Sequence, residues 1–389
     1  MKKYLLTGGT GFLGSRLALE LIKNGDAVIF LGRPADGISL QTRVRNVLHT
    51  LDHKINLDNL VTIETDIAKN HLGLSQEFIQ SLHGQIDGIW HLAANLSFKE
   101  SDRDIVHNTN VEGVRKILDL AKKLRSPLYY ISTSYVHGNR PGPIFEDELI
   151  YPRRGFNNYY EKSKYLSEGL IREYAEKNSI DFIIFRPSIL IDTGENIGIK
   201  KFGYYGVVAG FYDFRKNLVR IAQKGSILLN VLGIRMKERK LCVLMPFPYP
   251  PYTYLNLIPV DWAVSWMISI SSDIRAKGRT FHIVNPHPFL IKTLLGQVLI
   301  ALDIKMPILK SPKWIVNLYF AVLIVASRFI KPLKSMGSKL YYYKYYMVEE
   351  NYYDMKNTKS ILGKKSVEQL NIDSRVIQRM TEKFIQTLE

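Results

Sequence analysis

The chain begins with the run Lys3-Tyr4-Leu5-Leu6-Thr7-Gly8-Gly9-Thr10-Gly11-Phe12-Leu13-Gly14, followed to Asn24 by apolar residues at helical spacing. A short apolar strand, a glycine-rich turn and a helix leave few choices of fold. In such a frame Gly8 permits the tight turn, Gly11 lets backbone approach a diphosphate, and Gly14 lets the helix pack on the strand. The helix start offers free N–H groups and the positive end of its dipole to phosphate oxygens. Gly8, Thr10, Gly11, Phe12, Leu13 and Gly14 are therefore expected to contact a dinucleotide.

The pattern continues as alternating strands and helices, which calls for a parallel sheet with helices on both faces. Apolar runs at Ala27–Leu31, Val61–Glu64, Gly88–Ala93, Leu128–Ser132 and Phe182–Arg186 read as strands, and Val106–Leu124 and Tyr159–Lys177 as helices. Residues 256–268 give a further strand and helix, and Thr280–Val284 one more strand. The expected fold is α/β, a Rossmann-type doubly wound parallel sheet over residues 1–195, completed by about 256–290. Residues 196–255 and 291–389 form a smaller, mostly helical substrate-binding part. Its last ninety residues read as mostly helical, including the Tyr-rich run Lys339–Asp354.

Composition narrows the partners. Hydrophobic residues make up 46 % and charged residues 23 % of 389 positions, ordinary values for a globular chain. One cysteine, Cys242, excludes an internal disulfide and favours a reducing cytosol. A net charge of +17 favours polyanions such as nucleotides, phosphopantetheine carriers or acidic membranes. The basic stretch 200–240 holds ten Lys/Arg against two acidic residues but no nucleic-acid motif, so no nucleic-acid partner is expected. The start lacks the apolar run of a signal peptide. Trp314–Ala326 is apolar nearly all round but shorter than the ~20 residues of a bilayer span. It reads as a buried helix or pocket wall, with peripheral membrane contact as the alternative. No His/Cys/Asp spacing suggests a metal.

The second strand ends Phe30-Leu31-Gly32-Arg33, with a cation where an NAD enzyme usually places the acid that binds the ribose 2′-OH. A guanidinium there suits a 2′-phosphate, so NADPH is the expected cofactor. Arg43 is either a second phosphate ligand or a solvated helix residue. Tyr160 and Lys164 lie four apart on one helix and share a face. A nearby lysine is expected to lower the tyrosine pKa and make it an acid–base group. Tyr159 competes, but its +4 partner is the uncharged Ser163. A hydroxyl donor should emerge after the fifth strand, where Ser132, Thr133 and Ser134 are equally eligible.

Taken together, Thr7–Gly14, Asp66-Ile67, His91–Ala94, Asn110–Gly113, Thr133, Tyr160, Lys164 and Arg186-Pro187-Ser188 resemble an extended short-chain dehydrogenase/reductase. Gly32-Arg33-Pro34, Arg43-Val44-Arg45, Leu72–Ser75, Trp90–Phe98, Asn256–Asp261 and Phe281–Pro286 resemble its thioester reductase and fatty acyl-CoA reductase (male-sterility-like) branch. The resemblance covers residues 1 to about 290 and is thin beyond, where only Asn357-Thr358 fits. It implies Thr133 as hydroxyl donor, Asp66 and Ile67 at the adenine, and Ala93 and Ala94 lining the cofactor. It further implies Pro187 to Ile189 beside the nicotinamide, Asn110 as a structural or relay residue, and Arg43 on the 2′-phosphate.

The expected reaction is NADPH-dependent reduction of an acyl thioester to an aldehyde, either stopping there or going on to the alcohol by a second hydride transfer. No adenylation or carrier domain accompanies the sequence, so the acyl group is expected on CoA or a separate acyl carrier protein. A nucleotide-sugar epimerase, dehydratase or reductase shares the same residues. A dehydratase of that group, however, would carry Asp-Glu after the threonine, where Ser134-Tyr135 stand. Another alcohol dehydrogenase and a non-catalytic NADP-binding sensor complete the alternatives. His91 and His137 are read as packed histidines rather than acid–base groups.

Overall fold

In the computed structural model, every residue is described except 59, 68, 195–201, 224–232, 239 and 349. Seven strands form the main sheet: β1 (Lys3–Thr7), β2 (Ala27–Gly32), β3 (Val61–Glu64), β4 (Gly88–His91), β5 (Leu128–Ile131), β6 (Phe182–Pro187) and β7 (Arg279–Ile283). They pair in the order β7-β6-β5-β4-β1-β2-β3, every neighbour parallel. The fold is therefore the doubly wound α/β sheet expected from the alternating pattern. Strand order reverses between β1 and β4, and open parallel sheets bind ligands at that point, beyond the carboxyl ends of the strands. Register levels those ends, since Thr7 lies opposite both Leu31 and His91, and His91 lies opposite Tyr130. The glycine loop, Arg33, Ala93 and Thr133 consequently leave the sheet along one edge.

The strands are apolar on both sides because helices cover both faces. On one face Leu5, Ile29, Ile89, Leu128 and Ile184 pack with Val114, Ile117, Leu118 and Ala121 of the helix Gly113–Leu124. On the other, Trp90 stacks on Phe185 at 5.6 Å and Phe185 meets Phe281 at 6.3 Å between ring centroids. The helix Val106–Leu124 expected from periodicity is interrupted. It is built as Arg103–His107, a π-helical turn Asn108–Glu112, and Gly113–Leu124. The wide turn frees the Asn110 carbonyl, which accepts from Ser167 Oγ at 2.8 Å. Ile67 fills the space where a side chain on Gly113 would stand, 2.7 Å from the Cβ position.

The chain divides into two compact units, residues 1–190, 258–284 and 353–369 in the first, and 191–257, 285–352 and 370–389 in the second. Residues 353–369, expected in the substrate-binding part, thus belong with the sheet. Buried Glu146 explains why: it accepts from the His282 N–H at 2.8 Å, the Thr358 hydroxyl at 2.6 Å and the Asn357 N–H. Thr358 also donates to the His282 carbonyl at 2.9 Å. The expected boundary at 195/196 lies outside the described residues.

The second unit is helical with small sheets. Its longer helices are Gly203–Ala222, Ile291–Ala301, Lys313–Phe329, Lys334–Tyr343 and Ser374–Gln386. Phe247 joins Phe211 at 5.7 Å to Phe320 at 5.9 Å in its core. The Tyr-rich run is helical only to Tyr343, then gives a 3-10 turn and the strand Asn351–Tyr353. Within the basic stretch 200–240, residues 200, 201, 224–232 and 239 lie outside the described residues. Among the described residues no helix is long and apolar enough to cross a membrane.

Candidate active site

The glycine loop makes a cradle that side chains would fill. Gly8 has φ +73°, and a Cβ there would stand 2.6 Å from the Ala93 nitrogen. A Cβ on Gly14 would meet the Gly8 carbonyl. The Gly11 N–H donates to that carbonyl at 3.0 Å, closing the turn. The helix Phe12–Lys23 starts at Gly11 with no side-chain cap and no acid in its first turn. Its leading N–H groups and dipole are thus presented where a diphosphate fits. Thr7 ties the two central strands together, sharing a hydrogen bond with His91 Nδ1 at 2.7 Å and accepting from the Ala93 N–H at 3.3 Å. Ala93 is thereby held against the loop, with Ala94 next to it.

At the end of β2 the guanidinium of Arg43 donates to the Arg33 carbonyl at 2.7 Å and to Thr10 Oγ1 at 3.3 Å. It spans the gap between strand end and glycine loop, while the Arg33 side chain is exposed. Glu64, opposite Gly32 in register, accepts from the Leu40 N–H at 3.0 Å and so caps a helix. The Asp66 N–H donates to the Leu72 carbonyl at 3.0 Å, beyond β3, with Ile67 packed on the Gly113 helix start.

The helix Tyr159–Asn178 carries the second group of residues. Its start is fixed at both ends of a short span: Asn158 accepts from the Glu161 N–H at 3.0 Å, and Glu161 accepts from the Asn157 N–H at 2.9 Å. This capping sets Tyr160 in the first turn, one helical turn before Lys164. The Thr133 hydroxyl lies near enough to the Tyr160 phenol to lower its pKa. It also accepts from the Tyr135 N–H at 3.3 Å, a turn that orients it. Ser132 and Ser134 are buried, and among the described residues their hydroxyls meet no hydrogen-bond partner. Thr133 is therefore the one of the three hydroxyls that meets Tyr160. The competing Tyr159 turns away to share a hydrogen bond with His107 Nδ1 at 2.9 Å.

Burial, with the Glu161 carboxylate, raises the Tyr160 pKa above its ordinary value, and the Thr133 hydroxyl draws it back. The expected lowering by Lys164 is not what the geometry gives. Lys164 Nζ instead donates to the Ile131 carbonyl at 2.6 Å and to Tyr130 Oη at 3.2 Å. Burial pushes the Lys164 ammonium down to about 7, against the pull of Glu168. Asn110 is buried in the π turn, accepting from the Asn95 N–H at 2.8 Å and donating to Ser163 Oγ at 2.9 Å. Ser163 in turn donates to the Tyr160 carbonyl at 2.7 Å. Sequence reasoning overlooked Tyr130, Ser163 and Ser167. The two serines were visible in principle, since positions 160, 163, 164 and 167 share one helical face.

His91 and His137 are buried, and desolvation holds their imidazoles neutral, pushed down to about 3 and about 4. Pro187 ends β6 at the same edge, followed by buried Ser188 and half-buried Ile189. Arg186, just before, is buried against Glu168 with bonds of 2.9 and 2.7 Å, and its remaining donors reach the carbonyls of Phe145, Glu146 and Glu148. Among the described residues no group of three or more His, Cys, Asp or Glu is placed to hold a metal ion.

Comparison with known proteins agrees with this geometry. The sequence profile described as Male sterility protein, an NAD-binding family, matches residues 6–267. A nonribosomal peptide synthetase, asaC, of Aspergillus flavus is 30 % identical over 299 residues, covering 74 % of this chain and 26 % of that protein. A putative fatty acyl-CoA reductase, CG8303, of Drosophila melanogaster is 27 % identical over 251 residues, 54 % of this chain and 46 % of that protein. The chain thus spans about a quarter of the first relative and under half of the second. Among solved structures, the terminal R domain of the myxalamid PKS-NRPS pathway superposes with a TM-score of 0.75 at 23 % identity, covering 100 % of this chain and 90 % of that one. UDP-glucuronic acid 4-epimerase of Bacillus cereus, with NAD bound, gives 0.61 at 15 % identity, covering 100 % of both chains. With the glycine cradle, the reversed strand order and the matched profile all in one place, the chain belongs to the NAD-binding male sterility protein family, the thioester reductase branch of the extended short-chain dehydrogenase/reductases, and so to a family of NAD(P)-dependent oxidoreductases.

Proposed function

We propose that this protein reduces an acyl thioester, carried on CoA or on a separate acyl carrier protein, to the aldehyde and on to the alcohol, using NADPH in a reducing cytosol. The observation that carries this reading is the convergence of the Thr133 and Tyr160 hydroxyls, close enough for Thr133 to lower the Tyr160 pKa, at the sheet edge that also bears the glycine cradle. Two O–H donors held together suit an oxygen that gains negative charge. Arg33 and Arg43 beside the cradle, with Glu64 committed to a helix cap, favour a 2′-phosphate over a bare ribose. In this reading Asp66 and Ile67 contact the adenine, Ala93 and Ala94 line the cofactor, Pro187 to Ile189 pass beside the nicotinamide, and Asn110 is a structural or relay residue.

When bound, NADPH supplies hydride to the thioester carbonyl carbon. Thr133 and Tyr160 receive the developing oxyanion, and Tyr160 gives it a proton. A phenol whose pKa is raised by burial stays protonated at neutral pH, which is the form a donor to an oxyanion requires. Lys164, whose Nζ donates to the Ile131 carbonyl and to Tyr130, would hold the nicotinamide ribose one helical turn from Tyr160. The resulting hemithioacetal expels thiol, its hydroxyl proton leaving on the sulfur, and the aldehyde is left at the same two donors for a second round that consumes a second NADPH. Asn110 holds the helix at Ser163, one turn from Tyr160, and so fixes the register of the donor pair.

The test is loss of NADPH absorbance with a panel of acyl-CoAs, acyl carrier thioesters and aldehydes, beside a Tyr160→Phe control. Acyl-dependent oxidation should fall by about 10²–10⁴ in the control, with NADPH affinity retained. Turnover of nucleotide sugars, with none of any acyl donor, would replace this reading with the epimerase one.

A further inference from the structure

The helix Lys313–Phe329 has two apolar faces, and the second unit uses one of them. Val316, Phe320, Leu323 and Ser327 are buried, Phe320 against Phe247. At about 100° per residue, Trp314, Leu318, Val322, Val325 and Phe329 fall on the opposite side. All five are exposed, from 53 % for Val325 to 67 % for Trp314 and 83 % for Phe329. The expectation of a buried helix or pocket wall therefore holds for one face of it, and the alternative of peripheral membrane contact concerns the other. A stripe of five large apolar side chains left in water is a recognition surface rather than ordinary surface scatter.

The surrounding charge says what it recognises. Residues 304–348 carry eight Lys or Arg and no Asp or Glu. Lys313 and Arg328 stand at the two ends of the stripe, and exposed Lys331 and Lys334 follow it. A second copy of the chain would bring the same cations face to face. An anionic bilayer instead meets them with phosphate while the stripe enters the acyl boundary. Trp at one end, Phe at the other and flanking cations make the pattern of a helix lying in the plane of a membrane interface. At 17 residues the helix extends about 25 Å, which suits that orientation and not a span. We propose that the outer face of Lys313–Phe329 docks the protein on anionic lipid, independently of which reaction the first unit performs.

Flotation of the full chain with vesicles tests this. Vesicles of phosphatidylcholine and phosphatidylglycerol, two parts to one, should carry the protein up, and phosphatidylcholine alone should not. Trp314 emission should shift to shorter wavelength on the mixed vesicles and lose that shift in Trp314→Phe. Lys331→Gln with Lys334→Gln should weaken binding about thirtyfold, at about fivefold per cation. Leu318→Ser, Val322→Ser and Phe329→Ser together should abolish it with the thermal midpoint unchanged, because all three side chains are exposed. The proposal fails if the wild type ignores anionic vesicles or if the triple variant floats as the wild type does. It also fails if neither floats and light scattering shows a wild-type dimer that the triple variant dissolves; the stripe would then be a contact between copies.

Discussion

Arg43→Ala separates a phosphate ligand from a structural arginine. In the structure Arg43 makes two hydrogen bonds, to the Arg33 carbonyl and to Thr10, at half-buried or exposed positions. Losing these costs about 0.5–1.5 kcal/mol each at most, and that cost falls on NADH and NADPH binding alike because both cofactors use the same loop. A guanidinium on a 2′-phosphate adds a charge-assisted interaction of about 1.5–3 kcal/mol that NADH lacks. The affinity ratio of NADPH to NADH should therefore fall by about 10- to 150-fold, whatever the change in NADH affinity. Fluorescence or calorimetric titration of both cofactors measures the ratio directly. Raising the salt concentration should erode the wild-type ratio more than that of the variant. A ratio unchanged by Arg43→Ala, or a wild type that binds NADH as tightly as NADPH, would refute the 2′-phosphate assignment. Arg33→Ala added to Arg43→Ala then shows how much of the remaining preference the exposed guanidinium supplies.

Thr133→Val keeps the side-chain shape and removes one of the two oxygen donors, so kcat should drop by about 10²–10³ with NADPH affinity intact, as read by single-turnover kinetics and titration. Gly8→Ala forces a Cβ to within 2.6 Å of the Ala93 nitrogen at φ +73°, and should abolish NADPH binding and lower the thermal midpoint. Glu146, buried beneath Asn357 and Thr358, has its carboxyl pushed up to about 7 because burial outweighs the donors around it. A carboxyl whose folded pKa exceeds its unfolded value of about 4.5 holds more protons in the native state between those values. Its contribution is therefore greatest below about 4.5 and is lost as pH rises through 7, a change of about 3 kcal/mol. Urea midpoints of wild type and Glu146→Gln compared at pH 5 and pH 8 should show this slope in the wild type and a flatter one in the variant.

The parts of this molecule legible from sequence are those in which the determining residues lie within one or two turns of each other. Parallel strands buried on both faces read as unbroken apolar runs such as Ile29-Phe30-Leu31 and Ile183-Ile184-Phe185, so the sheet emerged nearly complete. The shared face of Tyr160 and Lys164 was legible because four residues is one turn, whereas pattern alone left Ser132, Thr133 and Ser134 open and only the resemblance named Thr133: β5 ends at Ile131, and strand alternation gives no rule beyond that point. The π turn at Asn108–Glu112 has no local signal, because what stabilises its freed carbonyl is the hydroxyl of Ser167, 57 residues away. Lys164 shows the same limit in electrostatics. Spacing placed an ammonium near Tyr160, but which oxygens it binds depends on Tyr130 and the Ile131 carbonyl, on a strand more than thirty residues earlier.

The limit is clearest at Asn357 and Thr358. Both look like ordinary polar residues at the start of a short helix, and nothing around them predicts burial. Their burial depends on Glu146, 211 and 212 residues earlier, whose carboxylate needs donors once the β7 edge encloses it. Glu146 in turn sits in the segment whose carbonyls at Phe145, Glu146 and Glu148 satisfy Arg186, the buried partner of Glu168, and Glu168 is one turn beyond Lys164 on the Tyr160 helix. A chain of hydrogen bonds therefore links residues 357 and 358 to the face that carries the proposed donors. Thr358→Val breaks that chain at its far end, removing two hydrogen bonds and leaving Glu146 short of a donor, at a cost of about 1–3 kcal/mol. If the chain positions the helix, the variant should lower kcat as well as stability, and Thr358→Ser, which keeps the hydroxyl, should restore both. Lost stability with unchanged kcat would make residues 353–369 a clasp on the sheet with no bearing on Tyr160.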